Sequence, residues 1–77
     1  MIGVPGTSAV GREGVLTIGT RGSAGPGEVL LKIRGGTETF LAWSEEPLPT
    51  GTKVLVFNSR GGRTVDVMEW SDPLDGL

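Results

Sequence analysis

A small all-β barrel of five strands is the fold class this sequence predicts, on three observations. Short runs rich in Val, Leu, Ile and Thr are cut by 14 glycines and 5 prolines into pieces of strand length. No window of about twelve residues carries the apolar stripe of a helix. The stretch Glu46-Pro47-Leu48-Pro49-Thr50-Gly51 turns the chain sharply and delivers it straight into Thr52-Lys53-Val54-Leu55-Val56-Phe57. Two prolines and a glycine fix that corner, and it leaves no room for a helix.

The bulk composition sets limits on chemistry. Seventy-seven residues make one domain, near the lower end of what folds alone, so its stability is expected to be modest. The chain has neither cysteine nor histidine, which removes disulfides, a thiol nucleophile, the usual general base and the commonest zinc ligand. A net charge of −2 argues against a sequence-independent grip on phosphates. No apolar stretch reaches the roughly 18–20 residues of a bilayer span. The start, Met1-Ile2-Gly3-Val4-Pro5-Gly6, lacks the basic and apolar segments of a signal peptide.

Taken in order, residues 1–10 read as a flexible leader without periodicity. The barrel is expected over residues 11–70. The first strand, Val15-Leu16-Thr17-Ile18, places Leu16 and Ile18 on one side and Val15 with Thr17 on the other. A strand apolar on both faces suits a bend that serves both halves of a barrel, with Gly14 and Gly19 as bending points. Residues 20–27 form a glycine-rich loop. The second strand, Glu28 to Arg34, alternates most cleanly, with Val29, Leu31 and Ile33 facing the core.

Gly35-Gly36 is read as a tight hairpin turn. In the third strand, Glu38 to Ser44, the small Ala42 suits a crowded interior. Phe40 and Ala42 therefore face in, and Leu41 and Trp43 face out. Val54 and Val56 of the fourth strand face in, with Lys53 and Leu55 out. Asn58 to Arg63 is the next expected turn. Thr64 to Trp70 is the last strand, with Val65 and Val67 inside and Thr64, Asp66 and Met68 outside. Residues 71–77 read as a flexible tail, with Pro73 ending the ladder. Five strands with no helix between the third and fourth describe a short OB-fold barrel; an SH3-like barrel is the alternative, since strand count does not separate the two.

The succession Gly11-Arg12-Glu13-Gly14-Val15, Pro26-Gly27-Glu28-Val29, Glu38-Thr39-Phe40-Leu41-Ala42, Pro49-Thr50-Gly51-Thr52-Lys53-Val54-Leu55-Val56 and Thr64-Val65-Asp66-Val67 resembles the C-terminal soluble domain of NfeD-like proteins. The likeness runs from about Gly11 to Trp70. It implies a five-stranded OB-fold that follows transmembrane helices in the parent protein, on the cytoplasmic side. It also implies a stomatin-, flotillin- or prohibitin-like membrane scaffold as partner, in membrane organisation or quality control. Longer members carry a serine protease region, of which this chain has no segment. An excised domain or a short soluble form is therefore expected.

Candidate chemistry is sparse. Lys32 and Lys53 read as solvated lysines rather than members of a Ser-Lys pair, which requires a desolvated amine. Glu45-Glu46 is a poor carboxylate pair, because neighbouring strand residues point to opposite faces. Asp72 and Asp75 do not make up a calcium loop. No cofactor and no metal is expected, and no enzymatic activity. Single-strand nucleic-acid binding, the second reading for an OB-fold, needs a basic groove with stacking aromatics. Arg34-Gly35-Gly36 and Arg60-Gly61-Gly62 resemble RNA-binding triplets, but both fall where turns need glycine. The remaining feature is a set of apolar side chains on non-core faces: Leu41, Trp43, Leu55, Phe57, Met68 and Trp70. A contiguous apolar patch marks an interface, and tryptophan is enriched at binding hot spots. These six residues are the expected protein-contact surface, either for a partner or for self-association. Trp43 and Trp70 are also the large side chains nearest the barrel end that the missing helix leaves open.

Overall fold

The computed structural model describes residues 9–33 and 35–70. The expectations for residues 1–8, for Arg34 and for residues 71–77, Pro73, Asp72 and Asp75 included, lie outside the described residues. Five strands form: β1 (Glu13–Ile18), β2 (Gly27–Ile33), β3 (Gly36–Trp43), β4 (Lys53–Gly61) and β5 (Thr64–Glu69). They close into a barrel in the order β1-β2-β3-β5-β4. All neighbours are antiparallel except β3 and β5, which run parallel from Leu41↔Thr64 to Trp43↔Asp66. This closed five-strand order is the OB-fold arrangement and sets the SH3-like alternative aside. Residues 44–52 connect β3 to β4 without a helix.

Alternation in the sequence becomes the core. Leu16, Val29, Leu31, Val54, Val56, Val65 and Val67 are fully buried, with Ala42 among them. The narrow interior takes β-branched side chains from facing strands, and Ile33, Phe40 and Leu48 pack around this cluster. Ala9, placed in the leader by the sequence, is also part of the core. It is held there because the next turn is tied to β4: Gly11 N–H donates to Val56 O (2.8 Å) and Val56 N–H to Arg12 O (2.9 Å).

Gly14 is where β1 serves both halves of the barrel, pairing with Leu31 on one side and Val54 on the other. A Cβ there would lie 2.6 Å from Leu30 O and 2.6 Å from a Leu31 methyl, so only glycine lets the strands approach this closely. Two expectations about faces and turns change. A bulge between Leu16 and Ile18 rotates Ile18 outward, although alternation puts it beside Leu16. Gly36 pairs with Ile33 as the first residue of β3, so Gly35 (φ +78°) carries the turn and Gly36 does not.

The proline corner closes the barrel by lying along β1. Leu16 N–H donates to Thr52 O, Gly51 N–H to Leu16 O and Thr20 N–H to Leu48 O, all within 2.8–3.0 Å. Thr20 is a buried polar residue, and its hydroxyl accepts from Leu48 N–H at 2.8 Å and shares a hydrogen bond with the Ser44 hydroxyl. That hydroxyl replaces water for a backbone donor in the interior, where an unmet donor is costly. Leu48, fixed by these bonds, covers the core where a helix is missing. Neither Trp43 nor Trp70, the large side chains expected nearest this end, is among those packed against the core; Leu48 is.

Candidate functional site

The outward face of β3, β5 and β4 collects most of the apolar residues singled out above. Parallel pairing sets Trp43 beside Asp66, and Leu41 beside Thr64, one step along the same face. Leu55 and Met68 are cross-strand partners on β4 and β5. Met68 is 49% exposed, Leu41 44% and Phe57 53%; Leu55, Trp43 and Trp70 are half-buried.

Phe57 owes its position to a bulge. The register shifts between Val56 and Asn58, so Val56 pairs with Val67 while Asn58 pairs with Asp66, leaving Phe57 as the extra residue. Bulges re-aim side chains. This one also reverses the alternation of β4, so that Asn58 lies on the outer face beside Asp66. A second shift between Ser59 and Gly61 leaves Arg60 as an extra residue. The expected turn over Asn58 to Arg63 is thus corrected: β4 continues through Gly61, and the reversal itself uses Gly62 and Arg63, both at φ near +60°.

The two bulges build a polar cluster that alternation alone does not reveal. Arg60 donates to both carboxylate oxygens of Asp66, Nη2 to Oδ1 at 2.7 Å and Nε to Oδ2 at 3.1 Å, and Asn58 Nδ2 donates to Oδ2 at 2.8 Å. The Arg60 guanidinium also lies over the Trp43 ring, 5.1 Å from its centroid, in a cation–π arrangement. The outer face is therefore not one unbroken apolar patch. A charged, hydrogen-bonded island sits between Leu41 and Trp43 on one side and Phe57, Met68 and Leu55 on the other. The residue types (Asn, Arg and Asp) are visible in the sequence, but their meeting depends on the two extra residues.

Hydrogen bonds from Arg60 and then Asn58 hold the Asp66 carboxyl below its ordinary value, and the same bond raises Arg60. A lowered carboxylate contributes stability that is fully present above its unfolded value of about 3.9 and is lost as the pH falls through the native value. Asp66→Asn should therefore be less stable than the parent at pH 7, with the difference shrinking as the pH falls below about 4. Urea midpoints measured across that range check this; a difference that stays constant with pH would refute it.

Two clefts flank the island. One, of about 420 Å³, is bordered by Trp43, Phe57, Arg60 and Asp66. The other, of about 330 Å³, lies between residues 44–48 and the β4–β5 pair, with Leu48, Phe57 and Met68 as its apolar lining. Phe57 borders both. Trp70 borders neither; its N–H donates to Lys53 O just past the end of β5. A second cation, Arg63, pairs with Glu38 at 3.0 Å and lies 5.8 Å from the Phe40 ring centroid. Both arginines near these aromatics are thus matched by carboxylates. Among the described residues, no three His, Cys, Asp or Glu side chains gather as a metal site. Also among the described residues, no helix is long and apolar enough to cross a membrane.

Comparison with known proteins gives a consistent result. Residues 13–68 match the NfeD C-terminal domain family. The fold is similar to the solution structure of the soluble domain of the NfeD protein YuaF from Bacillus subtilis. That similarity has a TM-score of 0.67 and 28% sequence identity, and covers 80% of this chain and 74% of that one. No curated protein matches the chain.

Proposed function

Because the chain belongs to the NfeD C-terminal domain family, we propose that it is a non-catalytic protein-interaction domain. In this reading it sits on the cytoplasmic side of a membrane, tethered through the parent protein, and docks a stomatin-, flotillin- or prohibitin-like scaffold protein. The observation that carries the reading is the β3–β5–β4 outer face, where Trp43, Phe57 and Met68 lie beside a hydrogen-bonded island. Tryptophan, phenylalanine, methionine and arginine are the residue types enriched at interfaces, and a preorganised arginine loses little freedom on binding.

The competing nucleic-acid reading is weakened by the same geometry. Arg60 and Arg63, the cations nearest the aromatic side chains, are held by Asp66 and Glu38, and glutamates border the neighbouring cleft. A single-strand groove needs its cations available to phosphates.

Trp43→Ala tests the proposal. With the amide spectrum showing an intact barrel, titration of a purified stomatin-like partner should show affinity reduced about tenfold or more, the range of a hot-spot tryptophan. Unchanged affinity would refute it.

A further inference from the structure

The cleft between residues 44–48 and the β4–β5 pair combines an apolar lining with a one-signed border. Leu48, Phe57 and Met68 supply the lining, and Glu45, Glu46 and Glu69 stand at its edge with Ser44. Among the described residues, no lysine or arginine borders it. Its volume of about 330 Å³ is at the low end for ligand sites, suited to one or two large side chains. Phe57 and Met68 are about half exposed, and Phe57 is held there by the bulge rather than left out of the core by chance. Resting on the reading of this face as an interaction surface, we propose that the cleft takes a partner segment in which a large apolar side chain is flanked by lysine or arginine.

Charge complementarity selects this occupant. Arg60 and Arg63 are engaged by Asp66 and Glu38, so they do not neutralise the three glutamates. Residues 71–77 carry Asp72 and Asp75 and no lysine or arginine, so their charge does not complement the border. An apolar side chain entering the cleft covers Phe57 and Met68, while the cations beside it remain at the edge, within reach of carboxylates and still partly hydrated. Methionine in the lining adapts to more than one anchor shape. The arrangement makes binding selective for basic flanks more than it adds raw affinity.

The test is an amide chemical-shift titration of the whole chain with three synthetic peptides: acetyl-Lys-Lys-Leu-Phe-Lys-Lys-amide, its counterpart with glutamate in place of every lysine, and its counterpart with serine in place of Leu and Phe. The first should shift Ser44 to Leu48, Phe57 and Val67 to Glu69, and bind about tenfold or more weakly at high salt, because exposed charges are screened. The other two should give little response. Glu46→Lys with Glu69→Lys, both at exposed positions, should weaken the first peptide about tenfold, as two reversed surface pairs would. Equal binding of the glutamate peptide, or shifts confined to the Trp43–Asp66 cleft, would overturn the proposal. So would concentration-dependent shifts at this cleft without peptide, which would mark a second copy as its occupant. The same charge-reversal variant separates this inference from the reading it rests on. If it retains scaffold affinity while Trp43→Ala loses it, the interaction face stands and the basic-segment inference falls. If it loses affinity along with Trp43→Ala, both stand.

Discussion

Gly27→Ala should come close to unfolding this domain. Gly27 begins β2 where the chain returns against the end of β1, and it is buried. A Cβ added there would lie 2.5 Å from Gly19 O and 2.6 Å from Gly19 C, and closer still to Ile18 O. All three obstacles are backbone, so no side chain can swing aside, and β1 and β2 would have to part beside the Leu16–Ile18 bulge. Overpacking of a rigid site costs about 1–3 kcal/mol, and here the upper end or more is expected. A domain of this size has roughly 4–12 kcal/mol in all, so thermal melting should fall by about 12 °C or more. Gly36→Ala is the internal control: it has open space and an ordinary φ, and should change stability by less than about 0.5 kcal/mol. A Gly27→Ala melting curve that overlays the parent's would refute the argument.

Leu31→Ala is the second large effect. Leu31 is fully buried near the centre of β2 and packs over Gly14, where β1 has no room for a side chain. Strands fixed by ladder bonds on both sides cannot collapse into the space left behind, so the loss should be about 2–5 kcal/mol. Chemical denaturation measures it directly, with the slope unchanged if the native barrel is retained. A loss below about 1 kcal/mol would mean that the interior repacks more freely than its closed ladder suggests.

Much of this interior is legible in the sequence because a two-residue period has few readings. Val29 with Leu31, Val54 with Val56, and Val65 with Val67 each declare an inward face, and Ala42 identifies the inward side of β3 by its small size. The outward placement of Leu41 and Trp43 follows from Ala42 alone. What is not legible depends on extra residues. Asn58-Ser59-Arg60-Gly61-Gly62 has turn composition, yet most of it is strand, because bulges accept glycine and polar residues as turns do. Once Phe57 and Arg60 are counted as extra, Asn58 and Arg60 reach Asp66; without that count they have no reason to meet. Ala9 is hidden for a different cause. A lone alanine after a glycine- and proline-rich stretch carries no period, and the backbone bonds of Gly11 and Arg12 with Val56, and of Arg12 N–H to Ala9 O, hold it against the core.

The joint between β1 and β4 also has a consequence in time. Its pairs, from Glu13↔Leu55 to Val15↔Lys53, and the bonds of Leu16 and Thr20 to the proline corner all link parts of the chain far apart in sequence. The β2–β3 and β4–β5 hairpins, by contrast, join neighbours across short turns. Loop-closure entropy is met early for the hairpins and late for this joint, so the hairpins can assemble first and the barrel shuts last. Refolding on the millisecond-to-second scale of small β-barrels follows. Until the joint forms, the free edges of β1 and β4 are open to pairing with another chain, and this brief interval is when the protein is most prone to aggregate.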